Sequence, residues 1–140
     1  MDYRNARILD IANSMLFFYE PLQLWMIQIR PAIKEMEPLS VYIQKHLEKE
    51  LQCCNHQIVE VINDTAEFHR LHGKAVKRSL KHEKNHSYVM GVCSSQNVRI
   101  QSIRVALESM SYNLYYIYYL FKANWSHLKG TCEKSPHLFT

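Results

Sequence analysis

His69 and His72 stand three residues apart, a spacing that puts two imidazoles on one helix face and could grip a metal ion. No third ligand follows at diagnostic spacing, so packing or surface histidines are the plainer reading and no metal is expected. Cys53, Cys54, Cys93 and Cys132 form no CxxC pair. On a helix the adjacent Cys53 and Cys54 point in different directions and serve as small packing residues. That pattern argues against a disulfide framework and favours an intracellular setting, cytoplasm or nucleus. The chain has no phosphate-cradling glycine loop, no nucleophile motif and no acidic pair at a recognisable spacing. We expect neither an enzyme nor a cofactor.

Two clusters point to binding instead. "KAVKRSLKHEK" gathers Lys74, Lys77, Arg78, Lys81 and Lys84 in a chain of net charge +4. It reads as a solvated face that complements a helix dipole, or as an electrostatic trap for nucleic acid. Tyr112, Tyr115, Tyr116, Tyr118 and Tyr119 crowd one segment on several faces. Without interleaved basic residues there, subunit packing suits them better than base stacking.

These residues need long helices to carry them. With 47% hydrophobic and 21% charged residues the chain is globular, and three Gly and four Pro leave few turns, which favours an all-α fold. A first stripe reads Ile8, Ile11, Met15, Phe18, Leu22, Trp25, Ile29 and Ile33 in steps of three and four, with Pro21 expected to bend or break it. A second runs Ile43, Leu47, Leu51, Cys54, Ile58, Val61, Thr65, Phe68 and His72, with Ser40 as candidate N-cap. A third follows a heptad through Ile100, Ile103, Leu107, Met110, Leu114, Ile117, Phe121, Asn124 and Leu128. The expected organisation is a helical bundle over residues 1–129, with antiparallel helices at about 4–33, 40–82 and 97–129. A connector from His82 to about Gln96 and a flexible tail at 130–140 complete it. "IANSMLFFYEPLQLWMIQI" is too polar for a bilayer core, so no membrane partner is expected.

Pro31 and Pro38 end one helix and open the next, leaving Lys34 to Leu39 as a short exposed turn. Turns held by rigid helices often carry function.

From Leu24 to the last residue the sequence resembles the C-terminal part of the 11S (REG) proteasome activator subunits. "LWMIQIRPAI" is similar to the family's MWVQLLIPRI at Trp25, Pro31 and Ile33. "VYIQKHLEKEL" is similar to VxIQExxxxEL at Val41, Ile43, Gln44, Glu50 and Leu51. "HGKAVKRSLK" resembles RGDAVTKAAK at Gly73, Ala75, Val76 and Lys81, and "SIRVAL" resembles DIRLMV at Ile103 and Arg104. "ANWSHLK" resembles KNFEKLK at Asn124, Leu128 and Lys129.

The resemblance implies three of the four family helices. It further implies assembly into a seven-membered ring, or a hetero-oligomer with other activator subunits, seated on the proteasome core particle. It assigns the gate-opening loop to Lys34, Glu35, Met36, Glu37, Pro38, Leu39, Ser40 and Val41, and core docking to Pro136, His137, Leu138, Phe139 and Thr140. It adds a channel-lining role for Lys74, Lys77, Arg78 and Lys81. The family loop EDGNNFGV retains only its last residue here, as Val41. With both glycines replaced, by Met36 and Ser40, positive backbone angles become costly. The family's first helix has no counterpart, so an exposed apolar groove is expected, covered by self-association or a partner helix. The runner-up reading is a helical adaptor without proteasome activity, and the third a nucleic-acid binder through Lys74–Lys84.

Overall fold

A computed structural model describes residues 3–34 and 38–134, with side chains placed for 3–29 and 38–128. Three helices account for them: α1 (Tyr3–Lys34), α2 (Pro38–Lys81) and α3 (His86–Lys134). No strand occurs among the described residues, and no helix is long and apolar enough to cross a membrane. Arg99 on α3 bonds both Asn5 on α1 and Thr65 on α2, Gln44 on α2 bonds Met26 on α1, and Trp25 on α1 meets Phe121 and Trp125 on α3. Helix α2 therefore runs antiparallel to both others, and α1 and α3 run parallel. The core fills the seam with Ile8, Met15, Ile29, Leu47, Leu51, Ile58, Met110 and Ile117. Each such side chain fully removed from water stabilises by roughly 1.5–3 kcal/mol.

The helices are longer than expected. Helix α1 passes unbroken through Pro21 and Pro31. Each proline leaves the carbonyl four residues earlier without its donor, at Phe17 and at Ile27. Both residues lie on the open side of the helix, 80% and 53% exposed, where water can reach, and tertiary packing offsets the remaining cost. Helix α2 opens at Pro38, whose fixed φ suits a first helical position. Ser40 is therefore a buried residue of the first turn and not the N-cap.

The expected connector from His82 to Gln96 is also mostly helix. Only His82 to Asn85 lie between α2 and α3. Asn85 caps α3, its Oδ1 accepting from the Ser87 backbone N–H at 3.1 Å. Ser95 satisfies its hydroxyl on the Val92 carbonyl. Polar residues that suggested a loop are thus absorbed by a capped helix. At the other end α3 runs on through Lys134, past the tail boundary placed after Lys129.

The packed faces are rotated from the stripes read in sequence. On α1, Ala12, Tyr19 and Met26 are buried, not Ile11, Phe18 and Trp25. On α3, Ile103, Met110 and Ile117 are buried, whereas Ile100, Leu107 and Leu114 remain 39%, 38% and 41% exposed. Arg99 and Asn113 go inside instead. The apolar surface of both helices is wider than three helices can cover.

Two measurements follow from this core. Burial raises Cys54 to about 11, with Glu50 and Cys53 adding to it, and raises Tyr19 to about 12, with Cys54 adding. The unfolded thiol ionises near 9.0, so its contribution is complete below that pH and lost as pH rises through about 11. Stability should fall across that window, less so in Cys54→Ala. Iodoacetamide at mildly alkaline pH should label the exposed Cys53 and Cys93 and spare Cys54, read by peptide mass mapping. Separately, a Cβ at Gly91 would meet nothing within 4 Å. Gly91→Ala should raise stability by about 0.5–1 kcal/mol in urea unfolding.

Candidate functional site

Three helix termini converge at one end of the bundle. Gln44, six residues into α2, is 2% exposed, and its Nε2 donates to the Met26 carbonyl of α1 at 3.3 Å and to Glu48 at 2.9 Å. Trp25 stacks on Trp125 with ring centroids 6.0 Å apart and also meets Phe121 at 6.3 Å. Trp25 lies nine residues before the end of α1, and Trp125 nine before the end of α3, about 14 Å of helix in each case. The C-terminus of α1, the N-terminus of α2 and the C-terminus of α3 therefore share one end.

Of the turn expected at Lys34–Val41, Lys34 is the last residue of α1. Pro38, Leu39, Ser40 and Val41 form the first turn of α2. Helix thus takes most of that segment, because Pro38 starts α2 directly. Glu35, Met36 and Glu37 lie outside the described residues, as do Pro136, His137, Leu138, Phe139 and Thr140. Both segments are nonetheless attached to helix ends that the bundle brings together.

The basic cluster sits elsewhere. Lys74, Lys77, Arg78 and Lys81 are all exposed, and Lys77 is about 60 Å along α2 from Pro38. Beyond the level of Asn5, α2 and α3 continue as a two-helix hairpin that carries these cations.

Near the base of that hairpin lies a polar junction that the stripes gave no hint of. Arg99 is 8% exposed. Its Nε donates to Asn5 Oδ1 at 2.7 Å, one Nη to Thr65 Oγ1 at 2.6 Å and the other to Ser102 Oγ at 3.2 Å. The guanidinium also stands 5.3 Å over the Phe68 ring, a cation–π contact. The Thr65 hydroxyl in turn donates a hydrogen bond to the Val61 carbonyl at 2.8 Å. One side chain thus links all three helices. His69 and His72 lie beside this junction, and among the described residues no three His, Cys, Asp or Glu side chains are grouped to hold a metal. Thr65 stood on its stripe, whereas Asn5 and Arg99 lie just before Ile8 and Ile100, where the other two stripes begin.

Along the α1–α3 side runs an apolar groove of about 500 Å³, bounded by Phe18, Leu22, Leu114, Ile117, Tyr118 and Phe121. Tyr115, 73% exposed, lines it as well. Exposed apolar surface this continuous is a common feature of interaction faces.

Comparison with known families adds one finding. The profile described as proteasome activator PA28, C-terminal, matches residues 7–135. No curated protein and no solved structure matches the chain.

The Gln44 tie can be tested alone. Gln44→Ala removes the bond from α2 to the Met26 carbonyl and should cost about 1–2 kcal/mol in urea unfolding. Hydrogen exchange should accelerate in residues 26–34 and 38–44, leaving the Asn5–Thr65–Arg99 end unchanged.

Proposed function

The chain belongs to the proteasome activator PA28 family through that family's C-terminal domain, and from that premise we propose that it is a regulatory subunit of the proteasome core particle. It acts by binding the end of the core particle and adjusting its gate, with no catalysis of its own. The observation that carries this reading is the convergence of helix ends. Lys34 at the end of α1, Pro38 at the start of α2 and Lys134 at the end of α3 lie at one end of the bundle, and the sequence segments named for gating and docking adjoin those ends, as a surface that docks and signals to one partner requires.

Assembly is the second part of the reading. The chain forms an oligomer, a seven-membered ring of identical copies or a mixed ring with related subunits. Ile100, Leu107 and Leu114 repeat every seven residues at close to 40% exposure. This is half of a coiled-coil seam, with the half facing away from α2 left for a neighbouring helix. The exposed tyrosines of α3 extend the same face, and aromatic residues of this kind are enriched at subunit contacts.

Gate opening by the native chain is weak or absent. Only three residues separate α1 from α2, and none is glycine, whereas the similar activators have EDGNNFG at this place. The test combines purified core particle with a short fluorogenic peptide. The native chain should bind, as read by co-sedimentation, with little gain in hydrolysis. Replacing Lys34–Ser40 with EDGNNFG should raise hydrolysis several-fold, and deleting Pro136–Thr140 should cancel that gain. Strong activation by the native chain, unchanged by the graft, would contradict the reading of the turn. Failure of every version to bind would contradict the reading as a whole. For assembly, light scattering at micromolar concentration should give a mass well above one chain, reduced by Leu114→Lys. A stable monomer would rule the ring out.

A further inference from the structure

Arg99 carries a full positive charge into the protein, yet its three hydrogen-bond acceptors, Asn5, Thr65 and Ser102, are all neutral. A buried cation is ordinarily matched by a carboxylate, because desolvation without a counter-charge is expensive. Burial pushes the Arg99 guanidinium down from its usual range, with Asp64 opposing that shift. Asp64 is exposed and faces the adjoining cleft with Glu67, and Glu67 is already paired with Arg70. Among the described residues no carboxylate forms an ion pair with Arg99.

On the other side of the junction the guanidinium borders a pocket of about 530 Å³, walled by Arg4, Asn5, His69, His72 and Gln96. Phe68, Ile100 and Ile103 form its apolar side. None of its lining residues is Asp or Glu. Among the described residues five buried side-chain polar atoms have no hydrogen-bond partner, and three belong to this one wall: Asn5 Nδ2, His69 Nε2 and His72 Nδ1. The amide nitrogen is a donor, and each imidazole nitrogen becomes one in the appropriate tautomer or when protonated. Unpartnered buried polar atoms are rare in native proteins, and three of these five belong to residues lining this one pocket.

We propose that this pocket binds a compact oxyanion, a phosphate or carboxylate group on a small organic body, with Arg99 as its counter-charge and Asn5, His69 and His72 as its donors. Guanidinium suits such groups because its planar fork matches two oxygens at once. The volume exceeds that of a bare ion, and the Phe68–Ile100–Ile103 side suits a short apolar portion beside the charge. Since Asn5, Thr65 and Arg99 also join the three helices, occupancy would stiffen the base of the α2–α3 hairpin. The inference stands on this pocket alone and is independent of proteasome binding.

Thermal unfolding of the full chain at fixed ionic strength tests it, with inorganic phosphate in one titration, succinate in a second and chloride as reference. Either oxyanion should raise Tm saturably, by roughly 5–10 °C near ~100 times its Kd, and the one that does so names the group recognised. His69→Leu leaves the three-helix junction intact and should weaken the apparent Kd about tenfold. Arg99→Met should abolish the shift. Should Arg99→Met not fold, the His69→Leu result and a saturable phosphate- or succinate-dependent shift of the Arg99 Nε–H signal by NMR decide the matter. No shift with either anion would overturn the proposal. So would a rise that never saturates and is equal in the native chain and His69→Leu.

Discussion

Arg99 donates to Asn5 on α1 and to Thr65 on α2 from a position 8% exposed to water, and this constrains how the three helices slide past one another. A coiled-coil seam of Ile, Leu and Met tolerates displacement by one heptad, since one apolar knob replaces another. Here a slip of any helix would strand a buried cation among carbon atoms, at a cost of several kcal/mol. Polar groups inside a helical interface fix register in this way at some expense in stability. Asn113 adds a second polar tie, donating to Gln57 across α2 and α3.

Register then determines the ends. With Asn5, Thr65 and Arg99 held level, heptad packing carries alignment down the bundle to Trp25 on Trp125 and Gln44 on Met26. Helices α1 and α3 consequently finish nine residues past their stacked tryptophans. A junction at one end of the three-helix section thus sets the level at which α1 ends at Lys34 and α3 ends at Lys134. The basic residues Lys74, Lys77, Arg78 and Lys81 belong to the hairpin beyond the junction, so their charge is kept away from the turn end.

Three long helices were legible in the sequence because periodicity over dozens of residues is a strong signal. So were the core positions Leu47, Leu51, Cys54 and Ile58 on α2, which is packed against helices on both sides. The rotation of α1 and α3 was not. Both carry more apolar surface than the bundle covers, so a stripe of hydrophobic residues does not say which edge faces in. Phe18 fits the pattern as well as Tyr19, and Leu107 as well as Met110. Turn chemistry misled at Gly91 and Ser94–Ser95, where an Asn85 cap started the helix earlier than the apolar repeat. That a helix opens at the second proline was legible, since the fixed φ of Pro38 suits a first helical position. The partners Gln44 and Arg99 were hidden because a lone polar residue on an apolar stripe has no period of its own.

Under the proposed function, the end of the bundle where α1 and α3 finish faces the proteasome core particle and the basic hairpin points away. Lysine cross-linking of the chain mixed with purified core particle, read by mass spectrometry, tests it most directly. Cross-links to the core particle are expected from Lys34, Lys45, Lys49 and Lys134, clustered toward the end where α1 meets α2, and none from Lys74, Lys77, Lys81 or Lys84. Cross-links from the basic hairpin, with the turn-end lysines silent, would contradict it.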